Sequence, residues 1–248
     1  MTISARTSKN DFLTDISRGK FGDFSAFNLA GYNPSLPNGT EEDLWSEGGS
    51  LVYLSSEETM SYVSNNAADT SPLALLVGGV NDAGDRVFDF VLLNGVTPVI
   101  GTTPFAVVDF MFLTGTGVTN AGAITATATT AGTVQCGIIP GRGISQNGFI
   151  RIPSGKAALI KQIELNAAKI SGGGAPLVEF RLYIRSAPTT PWIVILNRRV
   201  DTGVDNDIII PFPISGTITA GADLRLSATS SAANTAALMR VQGVQYDV

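Results

Sequence analysis

The sequence predicts an all-β protein: two consecutive antiparallel β-sandwich domains, jelly-roll or immunoglobulin-like, preceded by an extended N-terminal arm. Three observations predict it. From about residue 50 onward, short apolar or alternating runs follow one another, with turn residues roughly every 8–12 positions. No stretch sustains a helical period; "SSEETMSYVSNNA" (55–67) carries one helical turn at most. The composition is that of a β-rich shell or fibre protein, with 27 glycines, 44% hydrophobic residues for a core and only 15% charged residues, against about 25% in average soluble domains. A chain of 248 residues holds one large β domain or two small ones. The turn-rich segment "IIPGRGISQNGF" marks a hinge. The expected division is therefore 1–30 for the arm, 31–136 for a first sandwich with a leading adaptor loop, and 137–248 for a second sandwich.

In the arm, Phe21, Phe24 and Phe27 recur every third residue among glycines and small polar residues. They are either the first piece of the core or an aromatic anchor that docks into a partner protein. "GYNPSLPNGTEEDLWSEGGSLVYL" (31–54) joins the Pro, Asn and Gly of a connector to Glu41, Glu42, Asp43 and Trp45, the residue types of a catalytic or sugar-binding rim. "LALLVGG" (73–79) and "RVFDFVLLNG" (86–95) flank the turn Asn81-Asp82-Ala83-Gly84 and read as a hairpin. Phe88, Phe90 and Leu92 share one face of the second strand; Val87, Asp89 and Val91 share the other. "TPFAVVDFMFL" (103–113) is so continuously apolar that it reads as a strand buried on both faces.

Next, Ile124, Ala126 and Ala128 alternate with Thr125, Thr127 and Thr129, small apolar residues inward and threonines outward. Cys136 falls in the following strand as a buried small hydrophobe. "GFIRIPSGKAALIKQIEL" reads as strand, turn at Pro153-Ser154-Gly155, strand. "LVEFRLYIR" (177–185) alternates most cleanly: Val178, Phe180, Leu182 and Ile184 inward, Glu179, Arg181, Tyr183 and Arg185 outward. Strands at 192–200, 207–212, 222–230 and 236–248 complete the second sandwich.

Chemistry is constrained by what is missing. There is no histidine and one cysteine, which removes the commonest general base, every Ser-His-Asp or Cys-His triad, an intramolecular disulfide and a thiolate metal cluster. A formal net charge of -5 argues against a dedicated nucleic-acid binder. No apolar run of about 18 residues points to a membrane span. The first residues lack the apolar core of a signal peptide, so folding in a cytoplasm is expected.

Glu41, Glu42 and Asp43 are adjacent, and neighbours on a strand point to opposite faces, so all three cannot converge on a substrate. Asp201, Asp205 and Asp207 form an acidic loop that either binds a structural cation or is a solvated hairpin. The "GRG" (141–143) and "GGG" (172–174) stretches are turns, since no helix follows them to cradle phosphate. Arg181, Arg185, Arg198 and Arg199, interleaved with Tyr183 and Trp192, are either ordinary sheet surface or a basic strip that grips an acidic partner or a glycan. No cofactor and no enzymatic activity are expected.

The run "RGKFGDFSAFNLAGYNPSLPNGTEEDLWSEGG" resembles the opening of a family of tailed-bacteriophage virion proteins. The resemblance continues in order through "SSEETMSYVSNNAADTSP", "VLLNGVTPV", "GVTNAGAITATA", "IRIPSGKAAL", "VEFRLYIR" and "AGADLRLSATSSAANT", covering most of the chain; "SLPNG" departs from it where an acidic residue is usual. It implies a non-enzymatic structural component of a phage particle, located in the virion. The expected role is a capsid decoration or cement protein held through its N-terminal region, with Phe21, Phe24, Phe27 and Trp45 as particle contacts. The alternative is a tail, neck or head-fibre protein that recognises a host receptor or glycan through Arg181, Tyr183, Arg185 and Trp192. Capsid or neck and tail proteins are the expected partners, together with further copies of the chain, most simply as a trimer.

Overall fold

The computed structural model describes residues 22–115, 119–211 and 216–248. Among these residues there is no helix. The chain opens with β1 (Phe24–Leu36) and β2 (Glu41–Asp43). It continues with β3 (Met60–Ser64), β4 (Thr70–Val80), β5 (Arg86–Asn94), β6 (Val99–Ile100), β7 (Val107–Thr114), β8 (Ile124–Ala128) and β9 (Val134–Ile138). The remaining strands are β10 (Phe149–Arg151), β11 (Lys156–Lys169), β12 (Leu177–Arg185), β13 (Ile193–Asp201), β14 (Asp207–Pro211), β15 (Asp223–Ser230) and β16 (Thr235–Asp247).

Four antiparallel sheets form two sandwiches. In the first, the sheet β6-β3-β8-β9 packs on β5-β4-β7. Its core joins Met60, Tyr62, Ala126 and Cys136 of one sheet to Leu75, Val77, Val91 and Met111 of the other. In the second, β1-β16-β11-β14 packs on β10-β15-β12-β13. Its core joins Phe27, Ile163, Met239 and Val241 to Phe180, Leu182, Leu224 and Leu226. Burying both inner faces in this way is what the period-2 alternation of the strands demands.

The division of the chain differs from the linear expectation. Residues 24–30 are not an arm, and 31–43 are not an adaptor loop of the first sandwich. β1 runs antiparallel to β16 from Phe24 opposite Tyr246 to Leu36 opposite Thr235, as a full strand of the second sandwich. β2 pairs with β15, Glu41 opposite Thr229 and Asp43 opposite Ser227. The first sandwich is thus inserted between the second strand of the C-terminal sandwich and the remainder of it. The physical reason is the open edge of β16: β11 covers one side, and only β1, with Phe27 and Leu29 on its inward face, covers the other.

The segment after β9 is a stitched connector rather than a hinge. The Leu113 amide donates to Gly143 O (2.7 Å) and the Ser145 amide to Met111 O (2.9 Å), so 143–145 lie alongside β7. The Tyr32 amide donates to Gln146 O (3.2 Å) and the Gly148 amide to Ala30 O (3.1 Å), tying the same segment to β1. Asn147 Nδ2 donates to Val108 O and Gln135 O, both at 3.1 Å. Gly148 has a positive φ of 56°, and a Cβ there would overlap the Leu44 carbonyl oxygen. A third cluster, Trp45, Leu51, Val80, Val107 and Phe149 with Tyr53 and Trp192 against it, fills the space where the two sandwiches meet.

Two expectations about faces resolve here. β8 buries Ile124, Ala126 and Ala128 and leaves its threonines outward. β5 buries Val91 and Leu93 and turns Phe88, Phe90 and Leu92 to solvent. Asp89 shares the inward side with Val91 because its carboxylate caps a turn, accepting from the Thr102 amide at 3.1 Å.

Candidate functional site

The residues singled out on β12 and the acidic run on β2 meet at one place, the outer surface of the β15-β12 sheet where it abuts the first sandwich. β2 lies beside β15, and successive residues of a strand alternate in direction, so Glu41 and Asp43 project to the same side and Glu42 to the other. Glu42 accepts from Asn33 Nδ2 at 2.9 Å.

Glu41 is the hub. It takes Arg181 Nη1 at 2.6 Å, the Tyr183 hydroxyl at 2.7 Å, the Ser227 hydroxyl at 2.6 Å and Arg225 Nη2 at 3.4 Å. Partial burial alone would raise its pKa. The Ser227 and Tyr183 hydrogen bonds and the Arg181 and Arg225 charges together outweigh burial and hold the carboxyl below the usual Glu value. Tyr183 is pushed up, by burial and then by its bond to Glu41.

Asp43 sits deeper. Its Oδ1 lies 2.8 Å from Arg225 Nε, and its Oδ2 accepts from the Leu51 amide at 2.7 Å. Burial dominates and raises its pKa despite the Arg225 charge. Further along the same face, Asp223 is fully buried between Arg151 Nε at 2.7 Å and Arg185 Nε at 2.6 Å.

Aromatic rings fill the gaps between the cations. The Arg185 guanidinium lies 4.4 Å from the Trp192 ring centre and 4.7 Å from that of Tyr53. Arg225 lies 4.6 Å from Tyr183. Tyr53 and Phe149 approach to 4.7 Å between ring centres, Tyr183 and Trp192 to 6.4 Å. Such stacking desolvates the guanidiniums while keeping them attracted, which suits Arg rather than Lys.

The arrangement is an ionic and aromatic joint. Four arginines (151, 181, 185 and 225) face four carboxylates (41, 43, 179 and 223), and Glu179 receives Arg181 Nη2 at 2.6 Å. The joint holds the connector 37–54 against the second sandwich and seats Tyr53, on the connector ahead of β3, among its rings. A carboxylate whose pKa is lowered and which takes four side-chain donors, as Glu41 does, is a poor proton donor.

The other candidates are placed as follows. Phe27 is in the core and Trp45 is buried, its Nε1 donating to Gly48 O at 2.7 Å, so both side chains are committed within the chain. Phe24 lies on the opposite face of β1, half-buried, 5.9 Å from the Tyr246 ring; a spacing of three puts the two phenylalanines on opposite sides of a strand. Phe21 lies outside the described residues. Arg185, expected on the open surface, is buried because Tyr53 and Trp192 cover it. Arg198 and Arg199 are both exposed on edge strand β13 but point to opposite faces; Arg199 reaches the rim of the joint, 3.6 Å from Glu179, and Arg198 does not share that face. Asp201 is used in its own turn, accepting from the Gly203 amide at 2.9 Å, and among the described residues no three acidic, His or Cys side chains are grouped to hold a metal ion. Cys136 is fully buried in β9, and burial pushes its thiol up to about 12.

Arg151, Asp223, Arg225 and Tyr53 are the members that sequence reasoning missed. The available signal was parity: Arg225 sits two residues from Asp223 and from Ser227 on one strand, but nothing local says which distant strand lies beside it. Against known protein families, curated proteins and solved structures, the chain matches no family model, no curated protein and no solved structure.

Proposed function

We propose that the chain is a non-enzymatic structural protein of a tailed-phage particle, a decoration or cement protein on the capsid. The observation that carries this reading is the joint: its charged and aromatic side chains are spent on one another, on the second sandwich beside the place where the two sandwiches meet. A surface component that must hold its shape on a particle needs two domains coupled stiffly: the paired arginines and carboxylates fix the connector on the second sandwich, and the cluster of Trp45, Leu51, Val80, Val107 and Phe149 packs the first sandwich against it. The ordered resemblance of the sequence to phage virion proteins points the same way. With Phe27 and Trp45 used internally, attachment falls to the chain ahead of β1 and to Phe24.

Immunogold electron microscopy of intact virions with antibody against residues 145–248 tests the reading. Label spread over the head supports decoration; deletion of residues 1–21 then abolishes binding to particles while both sandwiches stay folded. No label on any particle refutes it. A second reading, host receptor or glycan recognition from the tail, neck or a head fibre, draws on Trp192, which is half-buried at the end of the exposed turn 186–191. Label confined to the tail or neck, with binding of the protein to host cells that Trp192→Ala removes, decides for it.

A further inference from the structure

The first sandwich carries a sheet face that the single chain leaves uncovered. Phe88, Phe90 and Leu92 project from β5 and are 53%, 62% and 53% exposed. Strand pairing sets Phe90, Leu76 and Phe112 in one row, with Phe88, Gly78 and Phe110 beside it. The connector extends the first row, since Ile144 bridges to Phe112 and is 54% exposed. The Phe110 ring lies over Gly78, where a Cβ would collide with it, and stacks 6.1 Å from Phe112 and 6.5 Å from Phe88. The result is a flat array of rings and aliphatic side chains across four adjacent segments.

We propose that this face is the contact between two copies of the chain, packed face to face about a two-fold axis. Three arguments select a second copy. The first is area: with roughly 200 Å² for a whole phenylalanine, these seven side chains offer roughly 500 Å² of apolar surface. A standard interface buries about 800 Å² per partner, of which homodimers make about 65% apolar, again roughly 500 Å².

The second is charge. About a two-fold axis each group near the centre meets its own kind, so an acid or base there would face its like. The chain carries a net charge of -5, yet the outward positions of β4, β5 and β7 bear no carboxylate. The charges beside the patch stand at its end and are paired: Arg86 with the buried Asp109, and Lys156, which lines the cleft next to Phe88 and Phe110, with Asp247. The third is the strand itself: the continuously apolar run through β7 is a pattern for burial on both faces, and the chain alone leaves the outward Phe110 and Phe112 only partly covered. A single flat face closes on a copy by a two-fold rotation; rings need two different patches. The inference stands apart from the virion reading and survives its failure.

Sedimentation of the full chain across a wide concentration range tests it, beside Phe90→Asp and Phe90→Lys. The expected result is a wild-type dimer, with each variant folded, as judged by its melt, and weakened in pairing by about thirtyfold or more, the effect of losing a central interface residue. Leu92→Ser serves the same purpose should a charge at position 90 prevent folding. Mixing the Asp and Lys variants restores the dimer, because position 90 of each copy lies near that of the other. A wild-type chain that stays monomeric, a dimer indifferent to all three substitutions, or separated variants that do not recombine on mixing would overturn the proposal.

Discussion

Removing the Asp223 side chain is the sharpest probe of the joint. The carboxylate is fully buried and accepts from Arg151 through Nε at 2.7 Å and Nη2 at 3.2 Å, a two-pronged contact, and from Arg185 Nε at 2.6 Å. The two arginine side chains are only 12% and 8% exposed. Neither swings freely into water, since Tyr53 and Trp192 hold the Arg185 guanidinium between them. Asp223→Ala therefore strands two buried cations, and breaking a buried pair from one side costs about 3–5 kcal/mol. In urea, at about 2 kcal/mol per molar for a domain of this size, the unfolding midpoint should fall by about 2 M. Tryptophan emission is the assay, because both tryptophans of the chain, Trp45 and Trp192, lie at the joint and neither belongs to the first sandwich. Asp223→Asn, which keeps the shape and the acceptor oxygen, should fall between wild type and Asp223→Ala. A loss below about 1 kcal/mol, the level of an exposed ion pair, would show that water screens these charges and would remove the basis for calling the joint stiff.

Three further outcomes follow from the same geometry. Burial pushes the Asp109 carboxyl up to about 6, more than the neighbouring Arg86 and Arg151 charges lower it; since the folded state then holds the proton more tightly than the unfolded chain, the stabilisation is complete below about pH 4 and lost as pH rises through about 6. Chemical denaturation of wild type and Asp109→Asn across that window should show the wild-type advantage shrinking by about 3 kcal/mol, and a constant difference would contradict it. Glu41 has the opposite sign: its lowered pKa contributes stability above the ordinary Glu value that disappears as pH falls through the lowered one, so Glu41→Gln should cost about 1 kcal/mol near pH 7, given its partial exposure, and almost nothing in acid. Gly148→Ala combines left-handed backbone with an overlap onto the Leu44 carbonyl and should cost about 2 kcal/mol or more, whereas Gly132→Ala, also at positive φ but with open space around the missing Cβ, should cost about 1 kcal/mol, both read from thermal melts.

Local alternation made much of the fold legible. In β12 the inward set Val178, Phe180 and Leu182 is fully buried, and in β8 the Ile-Ala-Ala and Thr sets separate as their period requires. What alternation does not encode is which strand lies next to which. β1 pairs with a strand some two hundred residues later, from Phe24 against Tyr246 onward, and no nearby residue announces that partner. Hence the insertion of one sandwich into the other was invisible, and residues 24–36, which are an edge strand of the second sandwich, read as the end of an arm and the start of an adaptor loop.

The same limit separates the two surfaces of greatest interest. Parity on β12 identified Arg181, Tyr183 and Arg185 as one outward set, but outward from a sheet is not outward to water: β2 and Tyr53 arrive from elsewhere in the chain and turn that face into an internal joint. On β5 the ambiguity runs the other way. Phe88, Phe90 and Leu92 look more like a core face than Val87, Asp89 and Val91, and transfer energies alone would turn them inward. They face out because Asp89 is needed inside to accept the amides of the turn at 101–103, and because Val91 and Leu93 fill the narrow space against Met60 and Tyr62. A strand that gives its aromatic side to solvent for the sake of one buried carboxylate forgoes a large part of its apolar burial. That loss is recovered only when a second surface covers the rings, so pairing through this face and the inward placement of Asp89 are two consequences of one choice of register.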